Sequence, residues 1–266
     1  MTEPKRPVAI ELAGVEKRFG DQPVLRGVDL TVHAGTTTVL VGPSGGGKSV
    51  VLKHMLGLMK PDRGRVTVLG RDLATARRKE LKEVRAHFGV LFQGVALFDS
   101  MTIYENVALP LRQRTKSSEA EIREAVEEKL GWVDLENVNH KYPAQVSGGM
   151  QKRVGLARAL ILNPSIVFFD EPTSGLDVRH SNEIYRLFQR TQARLQYTAI
   201  IVSHNVPKVF KLADTVALLA EGQIQACLSP EAFQLSRNPF IRSFVETTMG
   251  PIYASEVEET EFHEQV

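Results

Sequence analysis

The 266-residue sequence holds a single cysteine, Cys227, so no disulfide can form within the chain. That cysteine usage suits a reducing compartment. Neither charge is in excess: Lys plus Arg is 33 and Asp plus Glu is 31. Such a balance lacks the basic footprint of a nucleic-acid partner, and none is expected. Long apolar runs are missing too. Residues 199–202 and 216–220 fall far short of the ~18 apolar residues that a spanning helix needs. The opening MTEPKRPVAI has no apolar core of a signal peptide. Work at a membrane would therefore need a span supplied by another chain. Internal repeats and low-complexity segments are also absent. What is present, 42% hydrophobic and 24% charged residues, is an ordinary globular balance. The length suffices for one large domain or two lobes sharing a core.

Residues 36–52, TTTVLVGPSGGGKSVVL, organise the chain. They read as a strand, a glycine-rich loop and the first turns of a helix. Gly42 to Ser49 match G-x-x-x-x-G-K-[ST], the P-loop pattern. Gly42, Gly45, Gly46 and Gly47 let the backbone wrap an anion without Cβ clashes. The N–H groups of Pro43's successors, Ser44 to Val50, then face phosphate oxygens at a helix N-terminus. Lys48 would reach the β- and γ-phosphates of a nucleotide, and the Ser49 hydroxyl would ligate Mg²⁺.

Along the chain, residues 8–12 and 28–32 alternate as half-buried strands do. Arg18, Phe19, Gly20 and Asp21 between them read as a turn, with Phe19 either stacking on a base or plugging two strands. A turn at residues 60–64 precedes a strand through Val66, Val68 and Leu69. Residues 76–86 read as a charged helix and 88–92 as a strand ending at Gln93. From 93 to about 160 the texture is helical. Ser118-x-x-Glu121 is a capping box ahead of the apolar face Ile122, Ala125, Val126, Leu130 and Val133. Another helix runs from near Ser147 to the stop at Asn163-Pro164. Strand 166–169 is continuously apolar, as if covered on both faces. Helix 178–196 and strand 198–202 follow, with Pro207 at the first position of the next helix. Residues 216–219 and 224–226 read as a hairpin, and Ser229 caps a short helix. Glu256, Glu258, Glu259, Glu261 and Glu264 mark the last stretch as an extended acidic tail.

Phosphoryl transfer to water needs a phosphate cradle, a metal site and a group that orients the water. Asp170-Glu171, at a strand end, offers two carboxylates: one for Mg²⁺ through its water shell, one facing the γ-phosphate as general base. The residues Ser147-Gly148-Gly149-Met150-Gln151 resemble the signature motif of ABC ATPases, LSGGQ. Other elements of that family then fall in order. Phe19 matches the aromatic that stacks on adenine, and Gln93, in VLFQG, matches the Q-loop. Ser174-Gly175-Leu176-Asp177 matches the D-loop, and His204 the H-loop.

The resemblance covers about residues 8–245. It implies an α/β fold, a RecA-like P-loop NTPase core with an N-terminal antiparallel β subdomain and a helical subdomain. An ATPase domain over 8–247 is expected, with 8–92 and 161–235 forming the core and β subdomain and 93–160 the helical subdomain. Residues 248–266 form an acidic extension. The resemblance also implies a head-to-tail dimer with a second copy of the chain. Each ATP would lie between one subunit's P-loop and the partner's Ser147, Gly148 and Gly149. Glu171 would polarise water, His204 would hold the γ-phosphate, and Gln93 would sense both Mg²⁺ and a transmembrane partner.

Within the family, Met150 at the fifth signature position resembles ATPases of the Mla and MCE lipid-transport systems, although Val146 departs at the first position. Residues 91–112 and 203–222 resemble that subfamily as well, with Asn205 in place of its usual Asp. This implies an ATPase on the cytoplasmic face of the inner membrane, powering phospholipid transport between inner and outer membranes. Its partners would be an MlaE-like transmembrane permease, an MlaD-like MCE-domain lipid-binding protein and a small STAS-type regulatory subunit. The alternatives are the ATPase of a solute importer and a soluble ABC protein outside transport. Pro239, Phe240, Ile241, Phe244, Pro251, Ile252 and Tyr253 could anchor the tail on a neighbouring subunit; a frayed tail is the alternative.

Overall fold

The computed structural model describes residues 6–203 and 206–249. Two sheets organise it. The smaller is antiparallel, with β1 (Val8–Phe19) paired to β2 (Gln22–His33) on one side and β4 (Arg63–Val68) on the other, and β5 (Arg71–Asp72) at the edge. The larger has six strands. They are β3 (Thr37–Val41), β6 (Phe88–Leu91), β7 (Ile166–Asp170), β8 (Thr198–Val202), β9 (Thr215–Ala220) and β10 (Gln223–Leu228). Their spatial order is β10-β9-β3-β8-β7-β6, parallel except for the β9–β10 hairpin.

Alternation along the parallel strands divides the core in two. Val39, Val41, Val167, Phe169, Ala199 and Ile201 face one apolar cluster. There they meet α3 (Ile103–Arg114), α4 (Glu119–Trp132), α5 (Gly148–Leu160) and α6 (Val178–Leu195). Leu40, Ile166, Phe168, Ile200 and Val202 face the other cluster, with α1 (Lys48–Met55), α2 (Arg78–Arg85) and the small sheet. The two-faced burial accounts for the unbroken apolar runs. The short helices α7 (Val206–Val209), α8 (Pro230–Gln234) and α9 (Pro239–Met249) close the first side.

Several expectations are corrected in detail. Arg18 and Phe19 belong to β1, and the turn is only Gly20-Asp21, closed by the Phe19–Gln22 pair. Gly20 supplies the positive φ of 58° that so tight a hairpin needs. Irregular register around residues 12–15 hides the second half of β1 from any alternation pattern. Leu69 is not a strand residue: it turns the chain at φ 48° and is exposed. Strand β6 stops at Leu91, leaving Phe92 exposed. Helix α7 starts at Val206, so Pro207 is its second residue.

The apolar residues read as anchors for a neighbour divide. Ile241 is buried in the chain's own core, and Phe244 meets Phe233 edge-on at 6.3 Å, so both are engaged at home. Phe240 stays exposed. Pro251, Ile252, Tyr253 and the glutamate-rich end lie outside the described residues.

Candidate functional site

The loop between β3 and α1 is held by its glycines. Gly42 has φ 149°, and a Cβ there would lie 2.0 Å from the Leu219 carbonyl oxygen of β9. Gly47, at φ 96°, caps α1, and a Cβ would lie 3.0 Å from Leu25 and 3.2 Å from Val24 of β2. Strand β2 thus packs directly on the loop, and the Phe19 hairpin leads into it. Gly45, at φ 77°, has open space around it, as a segment that wraps a ligand requires. The Gly46 N–H donates to the Pro43 carbonyl at 3.1 Å, closing the turn. Pro43, Ser44, Gly45 and Ser49 are exposed, and Val50 is half-buried.

The Lys48 ammonium lies inside the loop and donates to the carbonyls of Gly42 and Pro43, each at 2.9 Å. Burial pushes its pKa down, partly offset by the charges of Glu171 and Asp170. The same coupling acts on Asp170. Burial raises its pKa, the Glu171 charge raises it further, and Lys53 and Lys48 pull it down. Asp170 is the last residue of β7, and Glu171 follows at φ 46°, a left-handed conformation rare for a non-glycine residue. The Glu171 N–H donates to the Val202 carbonyl at 2.9 Å, continuing the β7–β8 ladder one residue past β7.

Gln93 follows β6, and its side-chain amide donates to the Ser174 hydroxyl at 3.4 Å. The structure thereby joins the Q-loop to the D-loop. Asp177 caps α6, accepting from the His180 N–H at 2.9 Å, with His180 Nδ1 2.6 Å from the same carboxylate. Ser147 caps α5, accepting from the Met150 N–H at 3.3 Å. Ser147 and Gly148 are exposed, and a Cβ on half-buried Gly149 would lie 3.6 Å from the His180 ring. Met150 and Val146, both half-buried, pack against the apolar cluster. His204 lies outside the described residues.

The donor set fits a magnesium nucleotide. The loop leaves room where phosphates would lie, Ser49 and Asp170 would supply the hard oxygen ligands that Mg²⁺ prefers, and Lys48 would supply a positive charge among them. A family description for ABC transporters matches residues 25–174.

The chain belongs to the ABC transporter family.

Its ABC relatives include the "Probable ribonucleotide transport ATP-binding protein mkl" of Mycobacterium tuberculosis, 43% identical over 250 residues, covering 94% of this chain and 70% of that protein. Another is the "Fe(3+) ions import ATP-binding protein FbpC" of Vibrio cholerae, 37% identical over 237 residues, covering 89% and 66%. Among solved structures, the dimeric post-hydrolysis state of the ATP-binding cassette MJ0796 bound to ADP and Pi superposes with a TM-score of 0.76. It is 30% identical, over 83% of this chain and 98% of that one. The cassette cbiO1 of Clostridium perfringens superposes at 0.79, with 27% identity, over 92% and 97%. The fold is therefore that of the ABC ATPases, and this ATP-binding subunit hydrolyses ATP.

Three residues of the site escaped the sequence reading. Lys152 and Arg158 of α5 donate to backbone carbonyls of the Gln93 loop. Tyr185 of α6 hydrogen-bonds Thr173, two residues past Glu171, at 3.0 Å. Their sequence signal is weak: a cation or a tyrosine on an amphipathic helix ordinarily belongs to the solvated face or the core.

Proposed function

We propose that this chain powers lipid transport, with phospholipid as the cargo class, through a separate permease at the cytoplasmic face of a membrane. The observation that carries the reading is Met150. An apolar side chain stands at the fifth signature position and packs with Val146 on the core, in a signature otherwise built to meet phosphate. The texture of residues 91–112 supports the same subfamily. Among the described residues no helix is long and apolar enough to cross a membrane, which agrees with a separate permease. A groove of about 420 Å³ beside the Gln93 loop, lined by Phe92, Phe98, Leu109, Pro110 and Leu162, is the surface we assign to it.

In this reading two copies close head to tail on ATP. The loop amides and Lys48 hold the phosphates, and the partner's Ser147, Gly148 and Gly149 complete the site. Phe19 stacks on the base. Ser49, Asp170 and Gln93 would hold Mg²⁺, which would neutralise phosphate charge. Glu171 orients and deprotonates water, and His204 steadies the γ-phosphate. Residues 93–160 work as a helical subdomain, residues 8–92 and 161–235 as core and β subdomain, and 248–266 as an extension. An MlaE-like permease, an MlaD-like MCE-domain protein and a STAS-type subunit complete the assembly.

A second reading has its own support. The relatives above carry the names of a probable ribonucleotide transport protein and an Fe(3+) import protein, and by that likeness the chain would be the ATPase of a polar-solute transporter. Purifying the tagged chain from membranes and identifying its companions by mass spectrometry separates the two. The lipid reading expects a permease with an MCE-domain protein and bound phospholipid. A permease with a solute-binding protein and no enriched lipid would overturn it.

A further inference from the structure

The loop after β6 carries two consecutive non-glycine residues in the left-handed region, Val95 at φ 59° and Ala96 at φ 52°. For the β-branched Val95 this is a costly conformation, and it persists only where the surroundings impose it. The surroundings are one face of α5. Lys152 donates its ammonium to the Gln93 carbonyl. Three residues on, Gly155 leaves the space that Val95 fills: a Cβ there would lie 2.5 Å from Val95 Cγ1 and 2.7 Å from Leu91 Cδ1. Three residues further, Arg158 donates Nη2 to the Val95 carbonyl at 2.5 Å and Nη1 to the Ala96 carbonyl at 2.7 Å. Burial lowers the pKa of both cations. For Arg158 a planar fork meets two carbonyls in one direction, a geometry that a lysine cannot supply.

We infer that Lys152 and Arg158 are positioning residues: they clasp the carbonyls of Gln93, Val95 and Ala96 to α5, so that Gln93 and the signature motif at the start of the same helix move as one unit. Helix α5 is a single rod from Gly148 to Leu160. Any displacement that carries Ser147–Gly149 toward a partner's nucleotide therefore carries Gln93 with it. Through this clasp, one subunit's own metal site reports whether its signature has engaged the other subunit's ATP. The catalytic half of the inference rests on the role proposed above for Gln93; the clasp itself rests on geometry alone.

The test uses the purified full chain with Gln93→Ala, Arg158→Lys and the double variant. Hydrogen exchange on Arg158→Lys is expected to speed about tenfold at the amides of residues 94–97 and to stay unchanged in β8, a loss of local and not global protection. Steady-state ATP hydrolysis is expected to fall about tenfold in kcat, with KM for ATP within about twofold, the pattern of an interaction made in the transition state only. In the Gln93→Ala background Arg158→Lys should cost nothing more, because residues acting through one another are not additive. Unchanged loop exchange overturns the clasp. Losses that multiply in the double variant overturn the action through Gln93. A Gln93→Ala protein with native kcat and Mg²⁺ dependence overturns the metal role of Gln93, and with it the catalytic half, while exchange still decides the clasp. Lys152→Gln, read by the same exchange at 94–97, serves if Arg158→Lys does not fold.

Discussion

The Leu219 carbonyl oxygen of β9 stands 2.0 Å from the position a Cβ would take on Gly42. Strand β9 is the parallel neighbour of β3, with Val41 opposite Leu218, so this approach is fixed by the sheet register. Gly42→Ala must either push β9 away or distort the phosphate loop at φ 149°. We expect a stability loss of about 2–5 kcal/mol, combining backbone strain and overpacking. Nucleotide affinity should fall with it. Urea denaturation and titration with a fluorescent ATP analogue check both; a native-like melt with native affinity would show that the loop adapts.

Asp170 is held above the ordinary carboxylate range, first by burial and then by the Glu171 charge. A carboxyl whose folded pKa exceeds its unfolded value binds its proton more tightly when folded. The resulting stability is fully present below the unfolded pKa and is lost as pH rises through the folded one. At neutral pH the ionised Asp170 therefore costs stability unless a cation meets it. Asp170→Asn removes that cost. Without Mg²⁺ the variant should melt about 2–4 °C above the native protein at pH 8, with the gap closing toward pH 4. Magnesium-dependent turnover should be lost, the usual exchange of function for stability. Thermal melts across that pH range decide it: an advantage for Asn that grows on acidification has the wrong sign.

Glu171 occupies a left-handed backbone position directly after β7, a kind of backbone strain that clusters at functional sites. Replacing the carboxylate with an amide keeps size and removes the base. Glu171→Gln should hydrolyse ATP about 10²–10⁴-fold more slowly. ATP binding should survive, so the protein should accumulate as a dimer on size exclusion with Mg-ATP. Wild-type turnover in this variant would falsify the base assignment.

How far the sequence announced these features depends on whether the signal is local. The phosphate loop, the capping boxes at Ser118 and Ser147's cap are short-range patterns, and their geometry appears where the residues stand. The unbroken runs in β7 and β8 likewise imply burial on both faces. Helix α3 was legible in principle: Thr102-x-x-Glu105 is another capping box, with Thr102 Oγ1 accepting from the Glu105 N–H at 3.2 Å. Pro110 inside the helix and the mixed residues around it blur the period. The second half of β1 hides behind irregular register, and Leu69 looks like strand because its turn conformation leaves no composition mark. The clasp on the Gln93 loop was out of reach altogether. It joins side chains to carbonyls about sixty residues away, and a backbone acceptor carries no residue identity.

The signature end of α5 separates two jobs, and its residues should respond differently to substitution. The Ser147 hydroxyl caps the helix, so Ser147→Ala should cost about 1 kcal/mol of stability even before nucleotide is considered. It should also remove a donor from the phosphate face. Met150 instead packs, half-buried, against the apolar cluster, as Val146 does, and a thioether is at best a weak acceptor. Met150→Gln keeps the length of the side chain and leaves the backbone amides of Gly148 and Gly149 in place. We expect its hydrolysis rate to stay within about threefold of native, a change of under 1 kcal/mol in transition-state stabilisation. Ser147→Ala and Gly149→Asp should fall well below that, the aspartate by placing a negative charge where phosphate belongs. Parallel ATPase assays on the three variants give the order. If Met150→Gln were the most damaging, this side chain would have a part in the closed site that its packing on the core does not disclose.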